Sequence, residues 1–220
     1  MASAGFVALG NWQLERRVWK LDLIERVNTR VTAPAAAPPA LKDWPWVSRE
    51  SDEYRHVLVS GRFLPERDTR VTAATGLGTG YWILSPLRGA DGSIVLINRG
   101  FVGLGVHSAQ VPAGQVTISG LLRLSEPGGG VLRRNDVASE RWYSRDVAAI
   151  AEARSLTEVA PYFIDAENGA PGSPGGAGPV GGLTVIRFHN SHLVYAITWY
   201  SLAAMALGAG VLVWREATGR

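Results

Sequence analysis

The sequence predicts a mainly β fold: a small antiparallel barrel-like or curved-sheet extramembrane domain with short helices, flanked by two transmembrane helices. The first of these helices is expected to be largely missing from this chain. Three observations support this fold class: an uncharged apolar run near the C-terminus, a charged amphipathic segment near the N-terminus, and many short β-type runs between them. Only 19% of the 220 residues are charged, a little below the ~25% of soluble domains.

The C-terminal run predicts a transmembrane helix over 193–214. It has 22 residues without a charge, and about 20 are needed to cross a hydrocarbon core of ~30 Å. Tyr195 and Trp199 lie near one end and Trp214 at the other, as in an aromatic belt. Because arginines follow the run, the positive-inside rule favours a cytoplasmic tail over 215–220.

Export of the middle of the chain requires a signal or a membrane anchor near the N-terminus. Residues 1–10, "MASAGFVALG", are apolar but too short to span a membrane, so we interpret them as the remnant of a first transmembrane helix. A tail-anchored protein with a cytoplasmic domain is the alternative. Residues 11–32 show helical spacing of apolar side chains and predict a juxtamembrane amphipathic helix, which a proline-rich connector, "APAAAPPA", ends.

Residues 41–192 are predicted to form the extramembrane β domain. The apolar runs that predict strands are bounded by Gly, Pro or Asp-Gly; they are "YRHVLVSGRFL", "GYWILSPL", "GSIVLINRGFV", "GQVTISGLLRL", "PYFIDA" and "LTVIRF". A short helix is predicted after a cap at Asp146. The Gly/Pro-rich stretch over 168–182 predicts a loop, either a plain connector or a functional lid.

Few motifs point to catalysis. "GLGTG" precedes a predicted strand rather than a helix, so it does not fit a dinucleotide site. "NRG" is expected to form a turn, and His56 and His107 are expected to be surface or strand-edge histidines. No spacing selects a catalytic triad, and no basic run indicates a nucleic-acid surface. We therefore expect a protein that is not an enzyme.

Two histidines mark the start of the apolar run, and His192 is the candidate ligand. His189 precedes it by three residues, and its helical face continues through Tyr195 and Trp199 into small residues. In one interpretation, His192 lies at the membrane interface and the small residues pack against the first helix. In the other, its neutral imidazole coordinates haem iron, with the macrocycle against Tyr195 and Trp199.

Taken in order, several fragments make the chain resemble the Surfeit locus protein 1 family, the assembly factors of cytochrome c oxidase. "LGNWQLERRVWKLDLI" is similar to the segment after that family's first membrane helix, and "NSHLVYAITWYSLA" to the start of its second. Between them "VSGRF", "GYWILSPL", "VLINRGFV", "RWYSRD" and "APYFIDA" follow in the family's order. Ser191 stands where the family pattern has a second asparagine.

The resemblance implies a bacterial inner-membrane protein of respiratory-chain biogenesis with a periplasmic β domain. It implies binding of haem A and its delivery to the catalytic subunit of a haem–copper oxidase; haem A synthase and membrane lipid are further candidate partners. The family's proposed haem-ligating histidine falls on His192, and Arg187 is expected to pair with a haem propionate. The alternative is a haem-free scaffold that stabilises an oxidase assembly intermediate through helix and domain contacts.

Overall fold

The computed structural model describes residues 2–64, 66–105, 112–129, 133–169, 178–184 and 190–219. The chain divides into two units. The helix pair comprises Met1–Asn28 and Ile186–Arg220, and the barrel unit comprises Thr29–Val185.

The helix pair consists mostly of α-helix, and the barrel unit contains the strands together with short helices. The helices are α1 (Ala2–Thr32), a 3-10 helix (Leu41–Trp46), α2 (Arg49–Asp52), α3 (Val147–Ala153) and α4 (His192–Thr218). The strands are β1 (His56–Phe63), β2 (Thr69–Thr75), β3 (Gly78–Arg88), β4 (Ile94–Gly103), β5 (Gln115–Leu124) and β6 (Val159–Ala166).

The predicted small barrel is confirmed. The strands lie in the order β1-β5-β6-β4-β3-β2, and a further pairing between β1 and β3 closes five of them into a barrel, while β2 extends the sheet from β3. All pairings are antiparallel except β4–β6, which is parallel. This one parallel pairing is possible because β5 and α3 lie between the two strands in the chain and provide the long connection that it needs.

Two apolar clusters lie on opposite faces of the sheet. The first takes side chains from all five barrel strands and fills the barrel interior; it includes Val57, Leu87, Ile97, Ile118 and Ile164. The second lies outside, where α3 and Trp142 cover Leu96 and Phe163. Strand β4 is therefore buried on both faces, which explains why its first four residues (94–97) are all apolar rather than alternating with polar ones.

The short helix predicted after Asp146 is also confirmed. The carboxylate of Asp146 accepts a hydrogen bond from the backbone N–H of Ala149 at 3.2 Å and thereby caps α3. "NRG", in contrast, is not a turn. Asn98, Arg99 and Gly100 lie within β4, where the first two are buried.

Among the helices in the described ranges, α4 is the one that is long and apolar enough to cross a membrane, as predicted. The apolar start of the chain and the amphipathic segment form one continuous helix, α1. Part of the Gly/Pro-rich loop (170–177) and most of the predicted strand "LTVIRF" lie outside the described residues, as do His107, Arg187 and His189.

Candidate functional site

His192 is the first residue of α4, and a side chain of α1 holds its ring. The imidazole Nδ1 lies 2.7 Å from Oε1 of Gln13. Since an amide oxygen accepts hydrogen bonds, this contact fits the neutral tautomer with the proton on Nδ1, in which Nε2 carries the lone pair. A hydrogen bond of this kind orients the ring of a metal-binding histidine and fixes its tautomer. The geometry is therefore suited to coordination through Nε2.

Two turns further along α4, Tyr200 makes a second polar contact with α1. Its hydroxyl donates to Oδ1 of Asn11 at 2.7 Å. A Cβ atom at the neighbouring Gly10 would lie 2.6 Å from the Tyr200 ring, so only glycine leaves room for the ring there. The "LGNWQ" stretch thus supplies the space for Tyr200 and the acceptors for both Tyr200 and His192.

The face that His192 shares with small residues is buried in its first half. Ala196 is 1% exposed and Ala203 is 4% exposed. The ring of Trp199 on the same face stacks on Phe6 of α1, with centroids 5.8 Å apart. Because higher-numbered residues of α4 meet lower-numbered residues of α1, the two helices are antiparallel.

The four predicted ligand-binding residues are thus in different situations. His192 is half-buried and bonded to Gln13, and Trp199 has one ring face against Phe6. Tyr195 is 54% exposed one turn after His192. Arg187 lies outside the described residues. Their role in binding haem stays a prediction.

The barrel unit contains a second polar site that the sequence did not suggest, centred on Asp165. This carboxylate, 5% exposed, accepts four hydrogen bonds within the outer face of the sheet. The donors are Asn98 at 2.7 Å, Thr184 at 2.9 Å, Arg123 at 3.0 Å and Arg145 at 3.3 Å. All its acceptor positions are therefore used.

Further carboxylates balance the two arginines of this Asp165 network. Glu53 accepts from Nε of Arg123 at 2.9 Å, and Glu126 accepts two hydrogen bonds from Arg145. Burial by itself lowers the pKa of the Arg123 guanidinium, but the charges of Asp165 and Glu53 more than offset this and raise that pKa. The neighbouring carboxylates thus favour the charged form of the Arg123 guanidinium.

A pocket of about 630 Å³ opens beside the Asp165 network. Its polar wall consists of Asn98, Arg123, Arg145 and Asp165, and Trp82 contributes an apolar wall. The volume lies in the range of small-molecule sites.

His56, in contrast, is engaged in the packing of the barrel unit. Its Nδ1 lies 2.8 Å from the carbonyl oxygen of Ala33, and its Nε2 lies 2.9 Å from Oγ of Ser119 and 3.0 Å from Glu167. The expectation of a strand-edge histidine agrees with this position at the start of β1. Within the described ranges, no group of three His, Cys, Asp or Glu side chains could hold a metal ion.

Comparison with known proteins identifies relatives of this chain. The model of the SURF1 family matches residues 1–204. The chain belongs to the SURF1 family. Surfeit locus protein 1 of Xenopus tropicalis is 34% identical over 219 residues, which cover 90% of this chain and 68% of the relative. The human protein of the same name is 33% identical over 220 residues (89% and 69%), and the SURF1-like protein of Monosiga brevicollis is 34% identical over 234 residues (96% and 84%).

The fragments by which the sequence resembles the SURF1 family meet at the two sites just described. "LGNWQ" of α1 contacts "NSHLVYAITWYSLA" of α4. In the barrel unit, "VLINRGFV" supplies Asn98, "RWYSRD" supplies Arg145 and "APYFIDA" supplies Asp165. The sequence did not predict the Asp165 network, because its residues come from fragments that are far apart in the chain. The one available signal was the presence of an Asn, an Arg and an Asp within or beside apolar strands.

Proposed function

We propose that this protein is a membrane-bound assembly factor of a haem–copper oxidase that binds haem A through His192 and delivers it to the catalytic subunit. Membership of the SURF1 family, whose members are known as cytochrome oxidase assembly factors, carries the first part of the proposal. The proposal includes a bacterial inner membrane as its location, with the barrel unit on the periplasmic side because arginine follows α4.

The contact between His192 and Gln13 supports the proposed ligand. Nδ1 is occupied at 2.7 Å, and Nε2 makes no hydrogen bond to any residue in the described ranges. His192 also begins the apolar helix, so we expect it at the level where a membrane meets water. Haem A has a long apolar tail and two propionates, so a carrier is expected to hold it at this level. Arg187 is the proposed partner of a propionate.

Haem absorption of the purified protein tests the proposal directly. The full chain is expressed in cells that make haem A, purified in detergent, and its Soret band is compared with that of His192→Ala. We expect the variant to lose the band. Thr198→Val is the matched control, because Thr198 is exposed on α4 and its hydroxyl bonds only within the helix, to the carbonyl of Val194; it is expected to keep the band.

Gln13→Leu sharpens the test, because Gln13 would not touch haem. Loss of a hydrogen bond that orients a metal-binding histidine commonly weakens metal affinity about 10- to 100-fold. We expect weaker haem retention in this variant with an unshifted absorption maximum. If His192→Ala binds haem A as well as the original chain, His192 is not the ligand.

A haem-free scaffold is the second candidate function, and the packing of α4 favours it. The Nδ1 of His192 is already bonded to Gln13, and Ala196 and Ala203 are buried within the helix pair, as the interfacial interpretation expects. A scaffold binds no haem, so it shows no Soret band and tolerates His192→Ala. Deleting the whole protein still lowers the amount of assembled oxidase. Measuring oxidase content and haem absorption in the same cells separates the two functions.

A further inference from the structure

The seam that closes the barrel brings two arginines side by side. Among the described residues, two pairs join β1 to β3, Arg62 with Arg88 and Phe63 with Leu87. Phe63 and Leu87 are buried in the barrel interior, whereas both arginines are exposed on the outer face. Directly opposed like charges destabilise an antiparallel pair, so this seam carries an electrostatic penalty.

No carboxylate in the described ranges offsets that penalty. The arginines that form ion pairs there are Arg49, Arg55, Arg99, Arg123, Arg145 and Arg154, and neither seam arginine is among them. Asp91 lies near Gly89, the residue after Arg88. Its Oδ1 already accepts hydrogen bonds from the backbone N–H of Ser93 at 3.1 Å and from the Ser93 hydroxyl at 2.7 Å. The two guanidiniums thus keep donors without an anionic acceptor.

A cleft of about 350 Å³ lies at the seam, and we call it the arginine cleft. Its lining residues are Ser60, Gly61, Arg62, Leu64, Arg88, Gly89, Ala90 and Gln115. A Cβ atom at Gly61 would lie 2.5 Å from the carbonyl oxygen of Arg88, so glycine allows the close approach of β1 and β3 that forms the cleft. Arginine, serine and glutamine side chains give it donors and no carboxylate.

We propose that the arginine cleft binds a phosphate group, either of a free phosphorylated small molecule or of a phospholipid headgroup. A carboxylate is satisfied by the fork of one arginine, whereas a phosphate has enough oxygen atoms to accept from Arg62 and Arg88 together. The bridging anion removes the repulsion at the seam and joins β1 to β3. The site is independent of haem binding by His192.

Inorganic phosphate is the first probe, titrated into the full chain in a phosphate-free maltoside detergent at constant ionic strength. We expect saturable binding by calorimetry at millimolar concentrations or below, and a rise in the midpoint of thermal unfolding. Arg62→Gln and Arg88→Gln are each expected to weaken binding at least about tenfold, because each removes charge-assisted hydrogen bonds. Without phosphate, both variants are expected to unfold at a higher temperature than the original chain, since the repulsion is gone.

Arg134→Gln is the matched control, because Arg134 is an exposed arginine outside the cleft. Its affinity for phosphate and its thermal midpoint are expected to stay those of the original chain. Chloride controls for ionic strength, and the two seam variants at the same phosphate concentration control for the general stabilisation of proteins by excluded salts.

Lipid binding identifies the source of the phosphate. Native mass spectrometry compares retention of phosphatidic acid with that of diacylglycerol, which has the same chains without the phosphate. Binding of inorganic phosphate supports a free ligand, and retention of phosphatidic acid alone, lost in Arg62→Gln and Arg88→Gln, supports a headgroup. If neither probe binds, or if the seam variants behave like Arg134→Gln, the proposal is wrong.

Discussion

The barrel unit and the helix pair join their polar side chains in different ways. In the barrel unit, Asp165 is held by two guanidiniums, which Glu53 and Glu126 also contact. In the helix pair, the hydrogen bonds that join the described parts of the two helices are between neutral partners: His192 with Gln13, and Tyr200 with Asn11. Asp165 is buried, whereas His192 and Tyr200 are half-buried.

The difference follows from the surroundings that each unit can use. A buried ion pair is tolerated when further hydrogen bonds complete it and polar groups at the surface are near, which applies to the Asp165 network beside its pocket. A charge within a membrane is much more costly, so helices there are joined by small residues and neutral hydrogen bonds. Gly10 and the buried alanines of α4 fit this second pattern.

Asp165→Ala is expected to give the largest loss of stability. The substitution leaves Arg123 and Arg145 buried with one carboxylate fewer each, and removing one partner of a buried ion pair costs about 3–5 kcal/mol. Guanidinium chloride unfolding of the full chain in maltoside measures the change in the free energy of unfolding. Asp136→Ala, at an exposed aspartate, is the control and is expected to change it little. Equal effects of the two substitutions would mean that the Asp165 network does not stabilise the barrel unit.

Gly10→Ala is expected to have an intermediate effect that is confined to the helix pair. The added methyl group overlaps the Tyr200 ring, and such overpacking costs about 1–3 kcal/mol. Gly5→Ala is the matched control, since nothing lies within 4 Å of a Cβ atom there. The chain has no cysteine, so one introduced cysteine on each helix can hold a fluorophore pair, and SDS titration in mixed micelles then follows helix separation. If Gly10→Ala and Gly5→Ala separate at the same SDS fraction, the close contact with Tyr200 does not form.

Tyr200→Phe is expected to have the smallest effect. It removes the hydroxyl that donates to Asn11 but keeps the ring against Gly10, and interhelical hydrogen bonds in membranes contribute about 0.6 kcal/mol on average. The same SDS titration measures it, with Tyr195→Phe as the control because Tyr195 is exposed. A loss as large as that of Gly10→Ala would show that the neutral hydrogen bond, rather than close packing, holds the helices together.

Much of the fold could be predicted because it depends on local patterns. The uncharged run of α4 is long enough to identify a spanning helix by itself, and Asp146 ahead of helix-forming residues identifies the start of α3. The barrel strands were recognisable from their apolar residues and their boundaries. The parallel pairing of β4 with β6 was not, because strand order depends on contacts between segments that are far apart in the sequence.

The candidate sites, like the fold, could be predicted from the sequence only in part. By itself, the sequence determined the position of His192 at the start of an apolar helix, since helical phase and membrane depth are local properties. Only the tertiary structure decided that Gln13 holds its ring, that Asn98, Arg145 and Asp165 meet, and that Arg62 lies opposite Arg88. Side-chain partners distant in sequence depend on strand register and helix packing, and shifting a register by one residue turns every side chain of a strand to the other face.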